Sequence, residues 1–174
     1  MAFRYTGFAD EASKSIDGQI AATQAAGWRS IELRLVGDVH YSALSDADFD
    51  AAMQQLGDAG IEIAGFGGSI ANWARPITTD FQVDLDELHA TIPRMQKQGV
   101  KLLRIMSYPQ PNDNPWPEAD WKAEVFRRLR ELAAIAEAGG ILLAHENCNG
   151  YGSIGPEQTV EMLEAVNSPA LTLI

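Results

Sequence analysis

One cysteine, Cys148, stands among 174 residues, so no internal disulfide can form and the chain suits a reducing compartment. The expected location is the cytoplasm. Basic residues are in short supply: 13 Lys and Arg face 24 Asp and Glu, for a formal net charge of −11 and a pI near 4.6. A surface that holds nucleic acid needs clustered cations to displace counterions. The one dense basic cluster, Arg127-Arg128-Leu129-Arg130, falls in a helical pattern among Glu124, Glu131 and Glu137. It reads as a solvated helix face tied by i,i+3 and i,i+4 ion pairs, and nucleic acid is not an expected partner. No apolar run approaches the ~20 residues that span a bilayer. The opening Met1 to Thr6 lacks the basic-then-apolar layout of a secretory leader, so no membrane partner is expected. A dinucleotide fold should carry Gly-x-Gly-x-x-Gly after its first strand, where this chain has Ala9-Asp10-Glu11-Ala12-Ser13.

What the chain does have is 46% hydrophobic and 21% charged residues, enough for a sizeable core in a single domain over residues 1–174. Short apolar runs alternate with longer helical patterns. Strands are expected at Phe3–Phe8, Ser30–Leu35, Ile61–Phe66, Val100–Ser107, Ile141–Glu146 and from Leu171 on. Helices are expected between them at about 15–26, 45–59, 84–98, 118–138 and 156–166. Four helices close on Ala26-Gly27, Ala59-Gly60, Gln98-Gly99 and Ala138-Gly139, each glycine suited to a left-handed C-terminal cap just before the next strand. This βα repeat predicts a parallel sheet covered by helices. Turns into the strands are tight and the loops after them are long, which puts function at the strands' C-terminal ends.

The most telling stretch is Ala144-His145-Glu146-Asn147-Cys148-Asn149-Gly150 after Ile141-Leu142-Leu143. A buried strand that ends in an imidazole, a carboxylate and amides is built to line a pocket, because unpartnered polar groups are costly inside a core. Leu142, Ala144 and Glu146 share one strand face and His145 the other. Glu146 reads either as a functional acid or as a helix cap, and His145 as a hydrogen-bonded, helix-facing group ahead of a metal ligand. Asn147 and Asn149 are turn formers or substrate contacts. Nothing activates Cys148 as a nucleophile.

Glu32 and Arg34 share a face of the second strand, as a pair that orients a substrate hydroxyl or simply neutralises itself. Arg104 on the fourth strand suits a buried ionic layer. His40 lies in a loop at the functional end. Phe66, Trp73 and Trp116 sit at that end too, where rings stack on sugars or pin their own loops. Met53, Met95 and Met162 read as core filler, and His89 as a mid-helix residue with no role.

Phe8-Ala9-Asp10-Glu11-Ala12, Ile31-Glu32-Leu33-Arg34, His145-Glu146-Asn147 and Gly150-Tyr151-Gly152 leading into Pro156-Glu157 together resemble the sugar phosphate isomerase/epimerase family of the xylose isomerase-like barrels. The resemblance implies a (β/α)₈ TIM barrel, incomplete here at about five βα units plus the start of strand six. It also implies a divalent metal held by two Glu, one Asp and one His from the last four strands. Glu146 matches the first of these ligands and would also serve as a catalytic base, with the other ligands expected beyond Ile174. Oxygen donors with one imidazole suit Mn²⁺ or Mg²⁺. The implied reaction is isomerisation or epimerisation of a small sugar, keto-sugar or sugar phosphate by proton transfer next to a carbonyl. The implied partner is a small sugar or polyol, with a homo-oligomer allowed. Dehydration of an inosose or keto acid would use the same groups. A non-catalytic sugar-binding or assembly module is the reading from another class. An abasic-site endonuclease on the same barrel would need many His ligands and a basic groove, against three His and a charge of −11.

Overall fold

The computed structural model describes residues 3–174; Met1 and Ala2, at the head of the segment without a leader layout, lie outside the described residues. The chain divides into two compact units, Met1–Gly67 and Gly68–Ile174.

In the first unit the order is α1 (Ile16–Ala25), β1 (Ser30–Leu33), β2 (Leu35–Val36), β3 (Val39–His40), α2 (Asp46–Asp58) and β4 (Glu62–Gly67). Both helices start on a serine. Ser15 Oγ accepts from Gly18 N and Ser45 Oγ from Asp48 N at 3.1 Å, each cap worth about 1 kcal/mol. Strands β1 and β4 are parallel, pairing Ser30 with Glu62 and Leu33 with Phe66. Ile31, Leu33, Phe49, Leu56 and Phe66 form the buried centre.

Two strand expectations change here. The segment Phe3–Phe8 makes no regular strand; Phe8 alone forms a parallel bridge to Glu32, with Glu32 N donating to Gly7 O at 2.9 Å. Phe3 and Tyr5 are 86% and 63% exposed, so no buried face pins a register along this segment. The run Ser30–Leu35 breaks at Arg34. Beyond it, β2 turns back on β3 as an antiparallel hairpin, because Gly37-Asp38 at its tip supports a tight reversal, with Gly37 at φ 64°.

The second unit holds α3 (Gln82–Gln98), β5 (Leu102–Ser107), α4 (Glu118–Gly139), β6 (Leu142–Gly150), α5 (Pro156–Val166) and β7 (Leu171–Leu173). Its strands are parallel, β5 to β6 and β6 to β7. Leu88, Met95, Leu103, Val125, Leu129, Leu132, Leu143 and Met162 are fully enclosed, which confirms the methionines as core, as it does Met53 in the first unit.

Three of the four expected glycine caps have positive φ; the fourth falls on Gly140 rather than Gly139. Gly139 is the last residue of α4, and a Cβ there would meet Ile92 at 2.9 Å. The basic cluster on α4 divides. Arg127 pairs with Glu124 and Glu131 at the surface as expected. Arg128 instead is buried, donating to Glu124 Oε1 and Thr79 O beneath the rings of Phe81 and Tyr108. No helix among the described residues is long and apolar enough to cross a membrane.

Candidate functional site

Strands β5 and β6 run in register through Ile105 and His145, then lose it: the next pair is Ser107 with Gly150. Glu146, Asn147, Cys148 and Asn149 therefore stand opposite Met106 alone. They form an arch at the C-terminal end of β6, where bulged residues re-aim side chains away from the ladder. At its near end the Glu146 carboxylate meets Arg104 of β5, Nη1 to Oε1 at 3.2 Å. The two side chains are 19% and 28% exposed, so the carboxylate keeps an open side. Glu146 is thus an ionic partner of Arg104.

His145 points the other way and is buried, in line with a helix-facing role. Its Nε2 lies 3.0 Å from Ser107 Oγ. The same oxygen accepts from Gly152 N at 2.9 Å and donates to Asn149 O at 3.3 Å. A hydroxyl has one proton, so with that proton on Asn149 O the imidazole must donate from Nε2. Nδ1 is then a bare acceptor, buried without a hydrogen-bond partner. Burial pushes the His145 pKa down to about 4 and keeps the ring neutral. Asn147 and Cys148 are exposed. His145 and Asn147 line a groove of about 430 Å³ together with Pro156, Val160, Leu163 and Leu173.

The long loop after β4 belongs to the same unit, and its anchoring was not visible in the sequence. Arg75 reaches two buried acids of α3, Asp84 and Glu87, each at 2.6 Å. Glu87 Oε1 accepts from Ser69 N at 2.7 Å, and the Tyr108 hydroxyl donates to Asp84 Oδ2 at 2.6 Å. Burial first, and Asp84 beside it, raise the Tyr108 pKa above its ordinary value. Backbone bonds from Met106 N to Ile70 O and from Tyr108 N to Ala71 O complete the anchoring. Ala71 and Tyr108 both sit at positive φ, a strain that persists only where surroundings over-determine it. The hint in the sequence was two acids three residues apart on one face of α3, a spacing that surface helices also use. Trp73 rides on this loop, 67% exposed. Trp116 is partly buried, its N–H and carbonyl both held by the Gln110 amide at 3.0 Å. The ring that pins a loop most plainly is Trp121, whose Nε1 donates to Tyr108 O.

In the first unit, Arg34 binds Asp10 at 2.9 Å and Glu11 at 3.3 Å, over the Phe8 ring at 4.2 Å. The partner expected on the strand, Glu32, is buried, whereas Asp10 and Glu11 lie in the turn before α1. Turn residues this far from Arg34 in sequence meet it only once the chain has folded. His40 places Nδ1 2.7 Å from Ser42 Oγ and Nε2 3.0 Å from Gly67 O, which makes it a brace between β3 and β4. Phe66 is fully buried, against Tyr41 edge-on and Phe49 stacked. It is a core residue and cannot touch a ligand, because its strand face is covered by α2 and the residues after β3.

Glu146 is a hard oxygen donor of the kind Mg²⁺ or Mn²⁺ takes. Among the described residues, however, no three His, Cys, Asp or Glu side chains come together as a metal cluster. Glu146 fits as one ligand, and these residues do not form a complete shell around an ion.

Parallel strands alternating with helices, with a polar arch at a strand's C-terminal end, place the protein in the α/β class, which includes the (β/α) barrels. The family model described as Xylose isomerase-like TIM barrel matches residues 20–174, and the chain belongs to that family. Solved structures agree on the fold. A xylose isomerase-like TIM barrel protein from Mycobacterium smegmatis, in complex with magnesium, superposes with a TM-score of 0.75 at 16% identity. That match covers 98% of this chain and 63% of the other. The probable 3-DHS dehydratase AsbF from Bacillus anthracis gives 0.76 at 14% identity, over 98% and 62%. A D-psicose 3-epimerase studied in the presence of D-fructose gives 0.69 at 17%, over 97% and 62%. The chain thus spans less than two thirds of these barrels, as an incomplete barrel should. Among curated protein sequences none matches.

Proposed function

We propose that this chain carries part of the active site of a divalent-metal-dependent sugar isomerase or epimerase, with Glu146 as its central carboxylate. The observation that supports this most is the Glu146 arch: a partly open carboxylate at the C-terminal end of a barrel strand, oriented by Arg104 at 3.2 Å. Proton removal next to a carbonyl needs a base held within reach of the carbon. A carboxylate fixed by Arg104 with one open side meets that need. A bound Mn²⁺ or Mg²⁺ would supply Lewis-acid stabilisation of charge on the substrate's oxygens, and Glu146 is the ligand these residues contribute. Asn147, exposed beside Glu146, offers an amide to a sugar hydroxyl. Trp73 and Trp116 offer rings to the apolar face of a small keto-sugar or polyol. Within the first unit taken by itself, Glu32 and Arg34 are the polar groups proposed for hydroxyl contacts, whereas both ring nitrogens of His40 are already engaged. The protein is proposed to work in the cytoplasm, without nucleic acid or membrane.

Titration with Mn²⁺, followed by water-proton relaxation, tests the reading. The 174 residues are expected to bind Mn²⁺ weakly and to be inactive alone, and Glu146→Gln is expected to weaken that binding at least tenfold. Equal Mn²⁺ binding by both proteins overturns the assignment. In any longer natural form, deuterium from solvent should enter a ketose at the carbon beside its carbonyl. Loss of water from the substrate instead would identify a dehydratase.

A further inference from the structure

We infer that Ser107 is the positioning residue that holds the Glu146 arch in its presenting shape. The inference rests on the reading of Glu146 as the functional carboxylate. The arch needs such a device because β6 leaves the ladder at His145 and rejoins it at Gly150, so the residues between have no strand partner of their own to hold them. Ser107 ties both ends. Its single oxygen binds His145 Nε2 at 3.0 Å, immediately before Glu146, and Asn149 O at 3.3 Å, the last residue of the arch. It also accepts from Gly152 N at 2.9 Å, just past the arch. Ser107 is wholly buried, and its bonds to His145 and Gly152 lie out of water.

The backbone is shaped to that side chain. Gly150 sits at φ 95°, and a Cβ there would lie 2.3 Å from the Ser107 carbonyl carbon and 2.7 Å from its Oγ. A Cβ on Gly152 would meet the His145 ring at 2.9 Å. Both glycines let the chain close around one hydroxyl. Alanine at this position would keep the fit and lose the hydroxyl. The hydroxyl does not touch a substrate. It acts through the direction in which Glu146 leaves the strand, and so through the contact of that carboxylate with Arg104.

The test compares Ser107→Ala with Leu143→Val, a core substitution on β6 that destabilises without touching the arch. Two readouts are taken by NMR: amide hydrogen exchange over residues 146–152, and the Arg104 guanidinium Nε resonance, which reports whether Glu146 remains beside it. Glu146→Gln sets the Arg104 signal for a lost carboxylate. In Ser107→Ala, exchange over 146–152 is expected to rise about tenfold or more above Leu143→Val, the scale of one or two lost buried hydrogen bonds. The Arg104 resonance is expected to move toward its position in Glu146→Gln. Exchange that matches Leu143→Val, or an Arg104 resonance left at its wild-type position, overturns the inference. Neither readout uses a metal. A failed Mn²⁺ titration would therefore count against the reading of Glu146 and leave the role of Ser107 to be decided here.

Discussion

His145 shows how one residue can be chemically conspicuous and still act only through position. The imidazole is buried and neutral, tied to Ser107 through Nε2, while Nδ1 has no hydrogen-bond partner. Its pKa lies near 4, against about 6.5 in an unfolded chain. Between those values the unfolded chain binds the proton and the folded one does not. The stability this residue supports is therefore complete above about pH 6.5 and is lost as the pH falls toward 4. The loss reaches about 3 kcal/mol, to order of magnitude, from the two pKa values. Urea unfolding at pH 7 and pH 5 should show a falling midpoint, and His145→Gln should flatten that fall. An unchanged pH dependence in the variant would contradict the assignment. Glu124 also loses stabilising charge in acid, but its pKa, held near 2 chiefly by Arg127, acts at lower pH.

At the scale of elements, the loop after β4 and the start of α3 behave as one piece because Arg75, Asp84, Glu87 and Tyr108 share charge and hydrogen bonds out of water. Such a cluster contributes little against well-packed apolar residues, but removing one partner strands the others. Arg75→Met leaves two buried carboxylates facing each other, and about 3 to 5 kcal/mol of stability should be lost. Urea denaturation measures it directly. A loss below about 1 kcal/mol would mean that solvent reaches the acids. The same anchoring makes Trp73 an exposed ring on a held loop, the ring proposed above for the apolar face of a small sugar.

For the whole molecule the governing quantity is charge. A net charge of −11 opposes association of chains at pH 7, against the pull of Val160, Leu173 and Ile174, each about half exposed. Near the pI of about 4.6 that repulsion vanishes. Light scattering should rise sharply as the pH falls from 7 toward 5, and added salt at pH 7 should have a weaker effect in the same direction. Scattering that stays flat to pH 5 would show that the exposed apolar residues do not drive association.

The alternation of helix and strand, five of the six expected strands and all five helices were legible in the sequence, because they follow from local periodicity and from serine and glycine at helix ends; the barrel class came instead from the resemblance of the motifs to a known family. Pro156–Val166 was expected at its observed bounds for that reason. The Glu146 stretch also stood out, since a carboxylate after an apolar run has no local explanation. What the chain pattern could not show is where each charge finds its partner. Arg34 turns to Asp10 and Glu11 rather than to its strand neighbour Glu32, Arg128 leaves a solvated face for the rings of Phe81 and Tyr108, and Phe66 enters the core. The Phe3–Phe8 segment likewise follows no rule of alternation, since its register depends on a neighbour and not on its own residues. Partners far apart in sequence are selected by packing, which weighs desolvation against pairing only once the fold has closed. The sequence by itself determined the order of elements and the carboxylate at the end of β6. Tertiary structure decided the arch that presents it, because a single buried hydroxyl from the adjacent strand supplies the hydrogen bonds that the ladder no longer makes.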